Sequence, residues 1–117
     1  MIVAALGSKN FSNYDIFMRG MRTALTQKPE DDKEVILYPA GMLRLNVMAQ
    51  EFSNKSEDGF RGRGMKISCR KRPYTWLEEN MKDVNYFMFF KLPGEPNSPM
   101  VDLADKLGVE AAIYAYE

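Results

Sequence analysis

The stretch IVAALGSKNFSNYDIFMRGM, residues Ile2–Met21, decides the fold. Its apolar opening, Ile2–Leu6, has the length of a strand that is buried on both faces and is too short for a core helix. Gly7–Asn10 then interrupts the run with residue types that are typical of tight turns. A helix is predicted to start at Ser12, whose hydroxyl can cap free N–H groups, with Asp15 as the capping-box acid. This order of strand, polar turn and helix predicts an α/β unit, in which ligands bind beyond the carboxyl end of the strand.

A second unit of the same kind follows. Val35–Tyr38 is another apolar run, Pro39–Gly41 ends it, and a helix is predicted from Leu43 to Ser53. Both helices carry apolar residues three or four positions apart, which is the spacing of one buried face. These residues are Tyr14, Phe17, Met18, Met21 and Leu25 on the first helix, and Leu45, Met48, Ala49 and Phe52 on the second.

The rest of the chain continues the alternation. The further predicted elements are a strand at Met65–Ser68, a helix at Pro73–Met81, a strand at Val84–Phe90, a helix that Ser98 caps and Gly108 ends, and a strand at Ala111–Tyr116. Two polar segments, Gln27–Lys33 and Ser53–Gly64, are expected to be loops, and the second is expected to be the most mobile part of the chain. The order β-α-β-α-β-α-β-α-β predicts one domain, residues 1–117, with an α/β three-layer sandwich around a five-stranded, mainly parallel sheet.

The residue counts restrict the chemistry of the chain. It contains no His and a single Cys, Cys69, which excludes Ser-His and Cys-His nucleophile pairs and an internal disulfide, and nearly excludes a structural zinc site. We predict no catalytic residue, no metal site and no cofactor. Sixteen basic and sixteen acidic residues cancel, so no global field draws the chain to nucleic acid or to a membrane.

The start of the chain and its hydropathy indicate a cytoplasmic protein. Met1 runs directly into a five-residue apolar stretch without the basic residues of a signal peptide, and no apolar run approaches membrane-spanning length. A single Cys fits a reducing compartment. We therefore expect no membrane partner.

Three predicted turns follow strands and lead into helices. They are Gly7–Asn10, Pro39–Arg44 and Gly94–Ser98. In a parallel sheet such turns gather along one edge, where the free N–H groups of helices favour an anion. The residues expected to bind a ligand there are Gly7, Ser8, Lys9, Asn10, Gly41, Arg44, Asn46, Asn97 and Ser98. Turn formation and helix capping also explain the two serines and Asn10 without any ligand.

A local cluster of positive charge lies between residues 61 and 72. It contains no acid, and its members are Arg61, Arg63, Lys66, Arg70, Lys71 and Arg72. Such a cluster suits phosphate groups or a nucleic-acid backbone, for which Arg61, Arg63 and Arg72 are the candidate contacts. A solvated edge explains the cluster equally well. Trp76 follows it, and burial in the core is favoured over a role as a stacking platform.

The opening Val3–Phe11, followed by Tyr14 and a helix, resembles the start of the YspA-like branch of the SLOG superfamily. These Rossmann-like domains are related to the lonely-guy phosphoribohydrolases and to the DNA-processing protein DprA. The ending Val101–Val109, preceded by Phe89-Phe90 and a turn centred on Gly94, resembles the last helix and strand of that family. The similarity spans nearly the whole chain. It implies a Rossmann-like fold that binds a nucleotide or a nucleotide-derived ligand.

Two motifs of these relatives are altered here. Ala40–Asn46 replaces the Gly-Gly-x-Arg-Gly-Ala-Asp sequence after the second strand, keeping one glycine, displacing the arginine by one position and substituting an amide for the acid. The Pro-Gly-Gly-x-Gly-Thr-x-x-Glu loop of the lonely-guy enzymes has no counterpart, and prolines interrupt Leu92–Asn97 instead. Arg72 resembles, at a different spacing, an arginine that precedes the fourth helix in YspA-like proteins. The resemblance therefore implies ligand binding without hydrolase chemistry.

Two other functions stay open. In an N-glycosidic hydrolase, Glu51 or Glu95 would activate water against a ribosyl bond. In an interaction or assembly protein, the fold would remain without its pocket, and residues 61–72 or exposed apolar surface would bind the partner. The nine Met residues mildly favour this second alternative. A nucleotide-derived small molecule is the expected partner, and a homo-oligomer and a nucleic acid stay open as further ones.

Overall fold

The computed structural model describes all 117 residues. Five β-strands alternate with four α-helices. Their bounds are β1 Ile2–Gly7, α1 Tyr14–Leu25, β2 Glu34–Pro39, α2 Leu43–Gly62, β3 Lys66–Cys69, α3 Tyr74–Asn80, β4 Tyr86–Lys91, α4 Pro99–Lys106 and β5 Glu110–Ala115. A short 3-10 turn, Met81–Asp83, follows α3. Apart from the ends of α1 and α2, the predicted elements are present with ends shifted by one or two residues.

All five strands are parallel and form one sheet in the order β3-β2-β1-β4-β5. The prediction of a five-stranded, mainly parallel sheet in an α/β sandwich is therefore confirmed, and β1 and β2 are adjacent as expected. β2 and β3 extend from one side of β1, whereas β4 and β5 extend from the other. The strand order thus reverses at β1, and in open α/β sheets the crevice at this switch point is where ligands bind.

Helices cover both faces of the sheet, and each face has its own core. The larger core involves α1 and α2 and includes the buried side chains of Phe17, Met21 and Phe52. The smaller core involves α3 and α4 and includes the fully buried Leu77 and Ala104. None of the helices combines the length and the apolar character needed to cross a membrane.

The second helix is longer than predicted. The expectation that it ends at Ser53, with a polar loop at Ser53–Gly64, is wrong because α2 continues to Gly62. Phe60 returns to the buried face about two turns beyond Phe52 and anchors the added segment to the larger core. On the exposed side, ion pairs join Lys55 to Glu51 and Arg61 to Glu57 and Asp58.

The start of α1 also differs from the prediction. Asn13 caps the helix instead of Ser12, because its side-chain oxygen accepts a hydrogen bond from the Ile16 N–H at 3.2 Å. Asp15 lies in the first turn, where its charge favours the positive helix end, but it is the second helical residue and not the capping-box acid. The predicted cap of α4 is confirmed, since the Ser98 hydroxyl accepts a hydrogen bond from an N–H group two residues on.

Gly20 lets α1 approach β4 closely. A Cβ atom at this position would lie 2.9 Å from Cζ of Phe90 and 3.2 Å from Sδ of Met88, and both of these side chains are fully buried. We therefore expect Gly20→Ala to lower the free energy of unfolding by about 1–3 kcal/mol through overpacking.

Gly59 is the matched control, because it is also helical but an added Cβ would meet nothing within 4 Å. Gly59→Ala should raise stability by about 0.5–1 kcal/mol, and urea unfolding of both variants checks the pair. A stabilising effect of Gly20→Ala would contradict the close approach.

Candidate functional site

A cleft of about 440 Å³ opens at the carboxyl ends of β1 and β4, where the turns after β1, β2 and β4 meet. Five of the nine residues predicted to bind a ligand line it, namely Gly7, Ser8, Gly41, Asn97 and Ser98. Its other walls are Leu6, Met42, Tyr74, Phe89, Pro96 and Pro99. The three predicted turns thus contribute to one cavity.

The turn after β1 is joined to the turn after β4 through the carboxylate of Glu95. The Ser8 hydroxyl donates to Oε1 at 2.7 Å, and Nδ2 of Asn10 donates to Oε2 at 3.2 Å. The Leu92 N–H also donates to Oε1 at 2.7 Å, and the Lys91 ammonium donates to the carbonyl oxygen of Glu95 at 2.8 Å. An anionic group of the protein itself therefore occupies side-chain donors of the first turn.

These hydrogen bonds hold the pKa of Glu95 below its ordinary value of 4.5. The Ser8 hydroxyl is the largest cause, and the Leu92 N–H is the second. Because the carboxyl pKa is lower in the folded protein than in the unfolded chain, the interaction stabilises the fold above about pH 4.5. This contribution is lost as the pH falls through the folded pKa.

We therefore expect Glu95→Gln to make stability less sensitive to acid. The variant should be less stable than the wild type near neutral pH, and it should lose less stability between about pH 6 and about pH 3. Glu78→Gln is the control, because Glu78 is exposed on α3 and is in no ion pair. Thermal unfolding over a pH series measures both, and a Glu95→Gln profile parallel to that of the wild type would contradict the assignment.

The start of α2 lacks the capping groups of α1 and α4. Asn13 and Ser98 cap those two helices with their side chains, and each helix has an acid in its first turn. Met42 precedes α2 without a side-chain cap, and the first turn contains no acid but does contain Arg44. A cation at the positive end of a 20-residue helix is unfavourable unless an anion lies nearby. Gly41 and Met42 line the cleft, so this helix end opens towards it.

Gly41 makes the turn between β2 and α2 possible. Its φ of 122° is a conformation that residues with a side chain rarely adopt. An added Cβ would make only an ordinary van der Waals contact, 3.5 Å from Cδ1 of Leu6, so the backbone conformation and not the space favours glycine here. The glycine is therefore required where the backbone passes the cavity.

Four predicted ligand-binding residues lie outside the walls of the cleft, namely Lys9, Asn10, Arg44 and Asn46. Lys9 and Arg44 are exposed beyond the ends of the adjacent strands β1 and β2, and neither is in an ion pair. Both charges are therefore available to an anion. Asn46 is half-buried, and its Oδ1 atom is buried without a hydrogen-bond partner.

Sequence reasoning missed Tyr74 and the apolar walls of the cleft. Tyr74 begins α3, and its hydroxyl lies 3.5 Å from Oγ of Ser98. The sequence did contain the information needed to predict Tyr74. It follows the third predicted strand, and the segments that follow parallel strands lie at the same edge of the sheet as the three predicted turns. Phe89 lies within β4, and its contribution depends on the adjacency of β4 to β1, which the chain order alone does not reveal.

The cation cluster at residues 61–72 runs from the end of α2 through β3 to the segment before α3, and none of its residues lines the cleft. Arg61 forms ion pairs with Glu57 and Asp58, each at 3.2 Å. Arg63 is exposed directly after α2 and is in no ion pair. These two candidate contacts are therefore separate from the nine residues predicted around the turns.

Arg72 and Trp76 form a small stack with Tyr38. The Arg72 guanidinium lies 5.2 Å from the ring centre of Tyr38 and 5.9 Å from that of Trp76. The two rings pack with their centres 4.5 Å apart. Trp76 is half-buried against the smaller core, so it joins the core in part and keeps surface open to solvent.

The carboxylates and the thiol are poorly suited to catalysis at the cleft. Glu95 is a weakened base because hydrogen bonds occupy its oxygens and lower its pKa. Glu51 does not line the cleft and pairs with Lys55 at 3.0 Å. Burial raises the pKa of the Cys69 thiol to about 11, which leaves little thiolate at neutral pH. These three groups are therefore poor candidates for a catalytic base or nucleophile at the cleft.

Comparison of the chain with known proteins identifies no relative on which a function could rest. No protein family, no curated protein and no solved structure matches it. The function is therefore inferred from the residues and the geometry of the cleft.

Proposed function

We propose that the protein binds a nucleotide or a nucleotide-derived ligand at the C-terminal edge of its sheet and does not transform it. The observation that carries this proposal is the uncapped start of α2, with Arg44 in its first turn, opening onto a cleft between three turns. Crevices at this position bind nucleotides in open α/β folds. The resemblance to YspA-like proteins supports the same class of ligand.

The composition of the cleft fits a base and a sugar. Met42 and Phe89 provide apolar surface for a flat ring, and the polar side chains of Asn97 and Tyr74 are available to orient a sugar or a base. A volume of about 440 Å³ lies within the usual range for small-molecule sites. A ligand with one flat apolar part and several hydroxyls would satisfy both kinds of wall.

The phosphate of this ligand would lie at the start of α2. The first N–H groups of a helix have no partner within the helix, and Met42 supplies no side chain to bond them. Together with the helix dipole they favour an anion. Arg44, and Lys9 from the neighbouring turn, would neutralise its charge.

The position of Glu95 supports the start of α2, rather than the turn after β1, as the site of the phosphate. Its carboxylate already accepts hydrogen bonds from Ser8 and Asn10 in the first turn. A phosphate at the same donors would meet this negative charge, whereas no acid stands in the first turn of α2. The proposal therefore assigns the phosphate to α2 and leaves Glu95 to hold the turns together.

A thermal-shift screen against nucleoside phosphates tests the proposal. A ligand at a hundred times its dissociation constant raises the free energy of unfolding by about 2.7 kcal/mol. The matching nucleosides, which lack the phosphate, are the controls and should stabilise the protein much less. Equal stabilisation by nucleosides, or none by any compound, would contradict the proposal.

The absence of catalysis has its own test. Incubation with nucleoside monophosphates should release no free base above background. Release that survives repurification and disappears in Glu51→Gln or Glu95→Gln would overturn this part of the proposal and favour the hydrolase.

One observation favours the alternative of an assembly protein. Leu107, Ile113 and Tyr116 keep 46%, 43% and 52% of their surface exposed on and beside the edge strand β5. If this surface mediates a homo-oligomer, sedimentation velocity will show association as the protein concentration rises. A monomer at every concentration that is also stabilised by nucleotides would contradict this alternative.

A further inference from the structure

A row of cations lies along the free edge of the sheet at β3. β3 is an edge strand, and the chain stays in register with β2 beyond its end, from Lys66 opposite Glu34 to Arg72 opposite Ala40. The N–H groups of Arg70 and Arg72 continue the bonds to β2, each at 2.9 Å. In such an extended chain, side chains at alternate positions point to the same face. One face therefore carries Lys66, Ser68, Arg70 and Arg72, which we call the 66–72 strip.

The cations of the 66–72 strip form no ion pair within the protein. Lys66 and Arg70 are exposed, Arg72 is half-buried, and none of the three is in an ion pair. Neighbouring positions of the strip are about 6.6–6.8 Å apart along the chain. This distance is comparable to that between successive phosphates of an extended nucleic-acid strand. Lys66 and Arg70 are two such steps apart, with Ser68 between them, and Arg70 and Arg72 are one step apart, so the cations stand at multiples of the phosphate spacing.

A groove of about 670 Å³ accompanies the 66–72 strip and gives a chain room to lie beside it. Lys66, Ser68 and Arg70 line this groove. Two carboxylates also line it, but Glu57 is paired with Arg61 at 3.2 Å, which leaves Glu34 as the unpaired acid. The cations of the strip therefore outnumber the free acids of the groove.

An aromatic ring stands beside the end of the 66–72 strip. Trp76 is half-buried, and the Arg72 guanidinium lies 5.9 Å from its ring centre. Sites for single-stranded nucleic acids combine a basic groove that follows the backbone with aromatic rings on which bases stack. Here the two components meet where Arg72, at the end of the strip, lies beside the ring of Trp76 on α3.

We propose that the 66–72 strip binds the phosphate backbone of a single-stranded nucleic acid, with Trp76 contacting a base at its end. Charged side chains also protect edge strands from pairing with another chain, but that role requires no aromatic ring at the end of the row. A single line of cations fits one backbone better than the two backbones of a duplex. The strip is separate from the cleft, and none of its residues lines that cavity.

Fluorescence anisotropy of a labelled oligothymidylate of about 16 nucleotides tests the proposal. This length equals the largest site size known for a single-strand-binding fold. The test variant is Lys66→Glu with Arg70→Glu, and the charge-matched control is Lys82→Glu with Lys106→Glu, all at exposed positions. We expect at least a tenfold loss of affinity in the test variant and less than a twofold loss in the control. The logarithm of the binding constant should fall with the logarithm of salt with a slope of about −2 for three phosphate contacts.

Trp76 is the only tryptophan of the chain, so its fluorescence reports on the proposed base contact. Oligothymidylate should quench it, and inorganic polyphosphate should not. Equal losses in the two charge variants, tighter binding of the duplex or of anionic vesicles, or oligonucleotide binding without quenching would overturn the proposal. Melting curves of both double variants show whether the fold is retained.

Discussion

Changing Arg44 to Glu is expected to lower affinity for the nucleotide ligand at least tenfold while leaving the fold as stable as before or slightly more stable. A hydrogen bond between an arginine and a phosphate contributes about 1.5–3 kcal/mol to binding. The negative charge of the glutamate would in addition repel the ligand phosphate. Arg44 is exposed and is in no ion pair, so the substitution breaks no ion pair of the folded chain. An acid in the first turn of a helix stabilises it by about 0.3–1 kcal/mol. Loss of binding with unchanged or raised stability is therefore the signature of a ligand site.

Arg19→Glu provides the charge-matched control for Arg44→Glu. Arg19 is exposed on α1, forms no ion pair and does not line the cleft. Isothermal titration should show near wild-type affinity for this variant and reduced affinity for Lys9→Ala. Unchanged affinity in both the Lys9 and the Arg44 variants would mean that the ligand binds elsewhere. A collapse of stability in Arg44→Glu would mean that Arg44 is structural.

Changing Phe90 to Ala is expected to lower the free energy of unfolding by about 3–5 kcal/mol, a large share of the total for a domain of this size. Phe90 is fully buried, and its ring centre lies 5.1 Å from that of Phe11, 5.3 Å from that of Phe17 and 5.0 Å from that of Tyr114. One side chain thus joins the turn after β1, α1 and β5. The backbone carbonyl oxygen of Phe90 also accepts a hydrogen bond from the Ser8 N–H at 2.8 Å.

Tyr116→Ala is the control for the Phe90 experiment. Half of the Tyr116 side chain is exposed, and such surface changes usually alter stability by no more than about 0.5 kcal/mol. Guanidinium unfolding measures both variants. A loss below about 1 kcal/mol for Phe90→Ala would show that the three aromatic contacts do not hold the elements together.

The fold was predictable to the extent that apolar runs and helical spacing reveal burial. Ile2–Leu6 is apolar throughout because β1 lies in the middle of a parallel sheet with helices on both faces. The second half of α2 was not predictable in this way, because seven residues without regular apolar spacing separate Phe52 from Phe60. The burial of Phe60 in the core and the ion pairs of Arg61 stabilise this segment, and both depend on the folded arrangement.

The candidate site was predictable only for its turns. Gly7, Gly41 and Ser98 follow from the rule that strand-to-helix turns gather at one edge of a parallel sheet. The hydrogen bond between Ser8 and Glu95 joins residues 87 positions apart and requires β4 to lie beside β1. Chain order predicts that successive strands are neighbours, and this prediction is correct for β1 and β2. It does not predict that β4 is the second neighbour of β1. Sequence reasoning therefore considered Glu95 as a base and missed its structural role.

An NMR titration of the ¹⁵N-labelled protein with the nucleoside phosphates tests the central claim most directly. The account predicts shifts at the amides of Gly7 and Gly41 and of the first residues of α2, in proportion to the fraction of bound ligand. The amide of Gly108, after the end of α4 and away from the cleft, should stay unchanged. Shifts confined to residues 61–72, or no shifts with any nucleotide, would contradict a ligand site at the start of α2.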